Sequence, residues 1–81
     1  MNIYVGNLNY KVRENDLERV ISNYGSFDSI KVIMDRETGR SKGFAFVEMP
    51  NDDEAKNAIE EMNGRDLDGR TMVVKEARPR V

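Results

Sequence analysis

Lys42-Gly43-Phe44-Ala45-Phe46-Val47-Glu48-Met49 alternates with a period of two, as a β-strand with unlike faces does. One face holds Gly43, Ala45, Val47 and Met49; the other holds Lys42, Phe44, Phe46 and Glu48. A helix lying on this strand needs close approach, which the small and aliphatic row supplies. The two phenylalanines therefore point away from any helix, toward water. Exposed aromatic rings clustered on a small protein mark a contact surface.

The flanking sequence supplies the rest of a sheet and two helices. Upstream, residues 27–34 are β-prone, with Ile30, Val32 and Met34 alternating against Lys31 and Ile33. The polar turn 35–41, which contains Gly39, joins this strand to the next as a hairpin with a basic loop. Residues 2–6 form a first strand, closed by Gly6-Asn7 and Asn9; Ile3 and Val5 face inward, which turns Tyr4 outward. Leu17, Val20, Ile21 and Tyr24 make one apolar stripe of a helix over 14–23, with Arg13 as a poor N-cap and Gly25 as the stop. Downstream, Pro50 ends the strand and Asn51 with Glu54 suggests a capping box. Ala55, Ala58, Ile59 and Met62 repeat the helical stripe over 51–62, Asn63-Gly64 stops it, and Asp68-Gly69 turns into a last strand, 71–76. Tyr24 and Phe27 fall on the core side, whereas the pattern does not assign Tyr10.

The order β-α-β-β-α-β predicts an α+β, ferredoxin-like sandwich: a four-stranded antiparallel sheet, order 4-1-3-2, with both single-striped helices on one face. On the open face Tyr4, Phe44 and Phe46 cluster, surrounded by Lys31, Ile33, Val73 and Lys75. Lys75, Glu76, Ala77 and Arg78, at the exit of the last strand, are placed to offer hydrogen bonds to a ligand through main chain and side chain. Asn2 on the first strand and Arg40 in the basic loop complete the candidate surface.

Composition narrows the function classes. The chain has 81 residues, enough for one domain, with no cysteine and no histidine. Disulfides, thiolate nucleophiles, zinc ribbons and imidazole bases are therefore excluded. No catalytic residue, metal site or cofactor is expected. The acidic run Asp52-Asp53-Glu54 suits the first turn of a helix, where carboxylates complement the dipole, and lacks calcium-loop spacing. No apolar run approaches the length of a spanning helix or signal core, so a cytoplasmic protein without membrane contact is expected.

Net charge is −2, which by itself argues against nucleic acid. The average conceals an asymmetry. The two predicted helices hold eight carboxylates against Arg19 and Lys56, a net −6, leaving +4 on strands, loops and tail. Stacking must then supply much of any affinity for nucleic acid.

Ile3-Tyr4-Val5-Gly6-Asn7-Leu8 and Lys42 to Met49 resemble the hexamer and octamer signatures of the RNA recognition motif (RRM) family. The resemblance covers residues 1–77, a single domain, with 78–81 as a C-terminal tail, and is nearest to short single-RRM RNA-binding proteins of bacteria and plastids. It implies that Tyr4 and Phe46 stack on successive bases of single-stranded RNA, that Phe44 packs against sugars and that Lys42 meets a phosphate. Met49 departs from the aromatic that usually ends the octamer, but on the inward face. A monomer is expected; single-stranded DNA is a possible ligand, since stacking does not sense the 2′-hydroxyl.

One other reading remains open and one is rejected. A protein-interaction module of the same fold would also display an open sheet. Gly64 to Thr71 approaches a phosphate-loop pattern, but Arg70 replaces the lysine, two aspartates would repel phosphate and a strand follows where that motif needs a helix.

Overall fold

The computed structural model describes residues 1–77; the tail, with Arg78, lies outside the described residues. In chain order the elements are β1 (Asn2–Gly6), α1 (Glu14–Ile21), β2 (Ser29–Met34), β3 (Ser41–Glu48), α2 (Asp52–Met62), β4 (Asp66–Leu67), β5 (Arg70–Thr71) and β6 (Val73–Ala77). β2, β3, β1 and β6 form an antiparallel sheet in that order, the expected arrangement with β6 as its fourth strand. The fold is ferredoxin-like.

The apolar stripes meet the inward rows. Ile3, Val5, Ala45, Val47, Met49 and Val74 from the sheet are buried with Leu17 and Ile21 of α1 and Ala55, Ala58 and Met62 of α2. Tyr24 and Phe27 pack against the edge of this core. Arg13 offers α1 no side-chain acceptor, so Asp16 accepts the Arg13 N–H at 3.0 Å instead. Glu14 accepts the Val32 N–H at 2.9 Å, which fastens the helix start to the outer edge of β2. At α2 the Asn51 side chain accepts the Glu54 N–H at 3.0 Å, while the Glu54 carboxylate turns to the Ser26 N–H, so only half of the expected capping box forms.

Three features depart from the expected pattern. Between Val32 and Met34, β3 advances four residues, from Ala45 back to Ser41, against two on β2. This bulge carries two extra residues, so the faces keep their parity and Phe44 stays outward. Gly43 sits in it at φ 84°, donating to Ser41 Oγ at 3.1 Å and accepting from the Leu8 N–H at 2.8 Å. A Cβ there would lie 3.1 Å from the Leu8 carbonyl oxygen, so both conformation and space favour glycine. Met34 is the second departure. It shares the inward parity but is exposed at the sheet end, with the Arg13 guanidinium 3.7 Å from its sulfur.

The last strand begins two residues later than expected. Thr71 belongs instead to a small hairpin, in which Asp68 (φ 54°) and Gly69 (φ 86°) make the tight turn between Leu67 and Arg70. Asn7 and Asn9 tie the β1–α1 loop to this hairpin: Asn7 Nδ2 donates to the Thr71 carbonyl and Asn9 Nδ2 to that of Asp68, at 2.7 and 3.1 Å. Other boundaries shift by one or two residues, with α1 ending at Ile21 and β2 starting at Ser29.

Candidate nucleic-acid interface

Register places one row of side chains straight across the open face. Lys31 pairs with Phe46, Phe46 with Tyr4, and Tyr4 with Lys75, so two aromatic rings lie side by side between two ammonium groups. Alternation then puts Ile33, Phe44 and Val73 on the same face toward the β2–β3 loop, and Ser29, Glu48, Asn2 and Ala77 toward the other end.

The three rings touch. Tyr4 and Phe44 are near-parallel with centroids 5.8 Å apart; Phe46 meets Tyr4 and Phe44 edge-on at 5.9 and 6.0 Å. Mutual contact fixes the rings, at about 0.5–1.5 kcal/mol per pair beyond area burial. They still reach water, Phe46 being 41% exposed. Lys75 Nζ stands 5.4 Å from the centre of the Tyr4 ring, a cation–π arrangement.

Gly6 explains how Tyr4 lies flat against the sheet. A Cβ on Gly6 would fall 2.5 Å from Tyr4 Cε1 and from its hydroxyl oxygen, so the ring occupies the space that glycine leaves. Gly6→Ala is expected to swing the ring aside while the backbone, extended here, is retained; if this face takes up RNA by stacking, its binding should weaken about tenfold, the loss of one stacked base. Titration against a labelled RNA strand, with a thermal melt of the same sample, checks both halves.

Electrostatics favour this face. Lys31, Arg40, Lys42 and Lys75 form no ion pair among the described residues. The acidic residues concentrate in α1 and α2 on the opposite side, with Glu48 the carboxylate on the open face beside Asn2. Lys42 is exposed next to Phe44, and Arg40 stands at the end of the loop leading into β3.

One candidate residue sits differently from expectation. Glu76 pairs with Ile3, whose side chain is inward, so the Glu76 side chain projects to the helix side and only its main chain serves the β6 edge. Arg78 lies outside the described residues. Tyr10, unassigned from sequence, is 60% exposed beside Lys42 and Phe44. No periodic signal finds it, because it sits in the β1–α1 loop and meets β3 only through the bulge.

Known proteins share this arrangement. The family model described as RNA recognition motif matches residues 3–73. RbpB of Nostoc sp. PCC 7120, named for RNA binding, is 49% identical over 80 residues, covering 99% of this chain and 78% of its own length. The crystal structure of RNA Binding Protein PG1 superposes with a TM-score of 0.94 at 56% identity, covering 100% of this chain and 98% of that one. The Rna15 RRM with bound RNA (GU) superposes with a TM-score of 0.86 at 29% identity, over 96% of this chain and 83% of that one. With the hexamer on β1, the octamer on β3 and the family model spanning both, the chain belongs to the RNA recognition motif family.

Proposed function

We propose that this protein binds single-stranded RNA across its open sheet, with Tyr4 and Phe46 stacking on successive bases. As a member of its family it is a binding module and not an enzyme. The observation that carries the proposal is the transverse row Lys31–Phe46–Tyr4–Lys75. Two adjacent π-faces suit two unstacked bases, and flanking ammonium groups suit the phosphates joined to them. A duplex hides its base faces within its own stack, so single strands are the matching ligand.

Within this reading Phe44 packs against sugar and Lys42 and Arg40 meet phosphate. Ile33 and Val73 provide apolar contact beside the rings. Asn2 and the main chain of Glu76 and Ala77 hydrogen-bond base edges at the far end of the sheet. The bound RNA named for one structural neighbour supports the ligand class. We assign the protein to post-transcriptional RNA handling, acting as a monomer in the cytoplasm; among the described residues no helix is long and apolar enough to cross a membrane.

One platform of this size corresponds to a Kd of order micromolar, about −8 kcal/mol. Fluorescence titration with short random RNA, matched duplex and single-stranded DNA tests the proposal. Binding confined to single strands supports it; no binding to any single strand at low salt overturns it in favour of a protein partner. Equal affinity for single-stranded DNA would show that stacking dominates over 2′-hydroxyl contacts.

The same titrations at several salt concentrations weigh phosphate against stacking. With about three phosphate contacts the log–log slope should lie near −2. A steeper slope would mean that more than three phosphates are neutralised on this face.

A further inference from the structure

We propose that Met34 is a modification site of this protein, at which a peroxide oxidises the thioether to the sulfoxide and the Arg13 guanidinium holds the new oxygen. The chain has five methionines, all among the described residues. Met49, Met62 and Met72 are buried in the core and Met1 packs against it, whereas Met34 is 39% exposed. A thioether at the surface meets oxidant directly, while a buried one reacts only when the structure opens around it. The fold therefore directs the reaction to one sulfur.

The neighbour of that sulfur suits the product better than the starting group. Arg13 Nη1 stands 3.7 Å from Met34 Sδ, a weak contact because a thioether is a poor acceptor. Two adjoining contacts fix the approach. Arg13 immediately precedes α1, and the next residue, Glu14, accepts the Val32 N–H at 2.9 Å. Consecutive residues at the helix start thus reach Met34 and Val32, alternate residues of β2. Arg13 forms no ion pair among the described residues, so its guanidinium is available to a stronger acceptor.

In the reaction the sulfur takes one oxygen atom from hydrogen peroxide. An S–O bond forms, the O–O bond breaks, the sulfur gives up two electrons and the peroxide leaves as water. A sulfoxide oxygen carries partial negative charge, and a guanidinium hydrogen bond to it is charge-assisted. Methionine oxidation disrupts a core by placing a polar atom in it; at the exposed end of β2 that atom is not buried, so the penalty is absent. The oxidised side chain therefore fastens the end of β2 to the start of α1 more firmly than the thioether does. A methionine sulfoxide reductase reverses the step, two thiols supplying the electrons and leaving as a disulfide while the oxygen leaves as water.

Limiting hydrogen peroxide applied to the folded protein, followed by peptide mass mapping, tests the site. The first oxygen should fall on Met34, about tenfold faster than on Met49, Met62 or Met72, and the preference should vanish in urea. A first oxygen on any other methionine, or a preference that survives unfolding, would overturn the assignment. Thermal melts of the reduced and oxidised protein, in wild type and in Arg13→Ala, test the guanidinium. Oxidation should lower the Tm of Arg13→Ala by about 2–6 °C more than that of wild type, the shift for one exposed charged contact in a domain of this length. Because oxidation is compared within each variant, any effect of the substitution on α1 cancels. Equal shifts would overturn the role of Arg13. The same shift in peroxide-treated Met34→Leu would place the effect on another residue and overturn the whole proposal.

Discussion

Replacing Tyr4 and Phe46 together with alanine should weaken RNA binding at least tenfold while leaving the fold nearly intact. Each stacked base contributes roughly 1–3 kcal/mol, so loss of both surfaces removes about 2–6 kcal/mol and tenfold is a lower bound. Both rings lie on the face of the sheet opposite the helices, away from the inward row that builds the core. What the fold loses is the edge-on ring contact and partial burial, a modest effect beside the affinity. Titration of the double variant against the same single strand checks the prediction, with circular dichroism as the folding control. Unchanged binding would sink the stacking model. Retained binding with a steeper salt slope would transfer the affinity to Lys31, Lys42 and Lys75.

The central feature of this surface was legible because β3 alternates strictly and its inward row is small. Gly43, Ala45, Val47 and Met49 leave no other face for helices, and that decides where Phe44 and Phe46 point. The antiparallel register then follows from burying Ile3 and Val5 beside them. Alternation ignores what happens at strand ends. The two extra residues at the β3 bulge preserve parity, so the sequence shows nothing unusual there except a glycine that is equally well explained as part of the small row. The β4–β5 hairpin is too short for any period, and in sequence its Asp68-Gly69 turn is indistinguishable from the entry to a single strand.

Glu76 and Tyr10 mark the limits of the site reading. Proximity to the last strand's exit suggested a contact for the Glu76 side chain, yet pairing with Ile3 sends it to the other face. The period-two rule contains this placement, since Lys75 faces outward and its neighbour in the strand must face inward. Tyr10 is different in kind. Its place depends on a loop fold held by Asn7 and Asn9 across nearly sixty residues or more of sequence, to the β4–β5 hairpin, and local pattern carries no such information.

The −2 net charge has the same lesson in electrostatic form. Averaging over the chain mixes an acidic helical back with a face whose four cations are unpaired among the described residues. Nucleic acid meets the face and not the average, at distances where a Debye length of about 8 Å screens much of the back. On the binding mode proposed above, the acidic helices would discourage binding on the opposite side, and charge segregation would orient a strand toward the aromatic row.

Leu17→Ala should show the reverse separation, a large loss of stability with intrinsic affinity retained. α1 has eight residues, too short to persist alone, and Leu17 and Ile21 are its buried anchors. Removing the Leu17 side chain leaves a cavity beneath the helix and costs about 3 kcal/mol, lowering Tm by about 12–24 °C. Against a total of about 4–12 kcal/mol for a domain of this length, that is a large fraction. Thermal and urea denaturation measure it. Because Leu17 lies on the helix side and the rings on the other, the protein that remains folded at low temperature should bind RNA within about threefold of wild type, well inside the effect of one lost base. A larger loss under conditions where the variant is fully folded would mean that α1 positions the open face, most directly through Glu14 on the Val32 N–H at the edge of β2. Glu14→Gln, which keeps an acceptor there and removes the charge, would then retain affinity where Glu14→Ala does not.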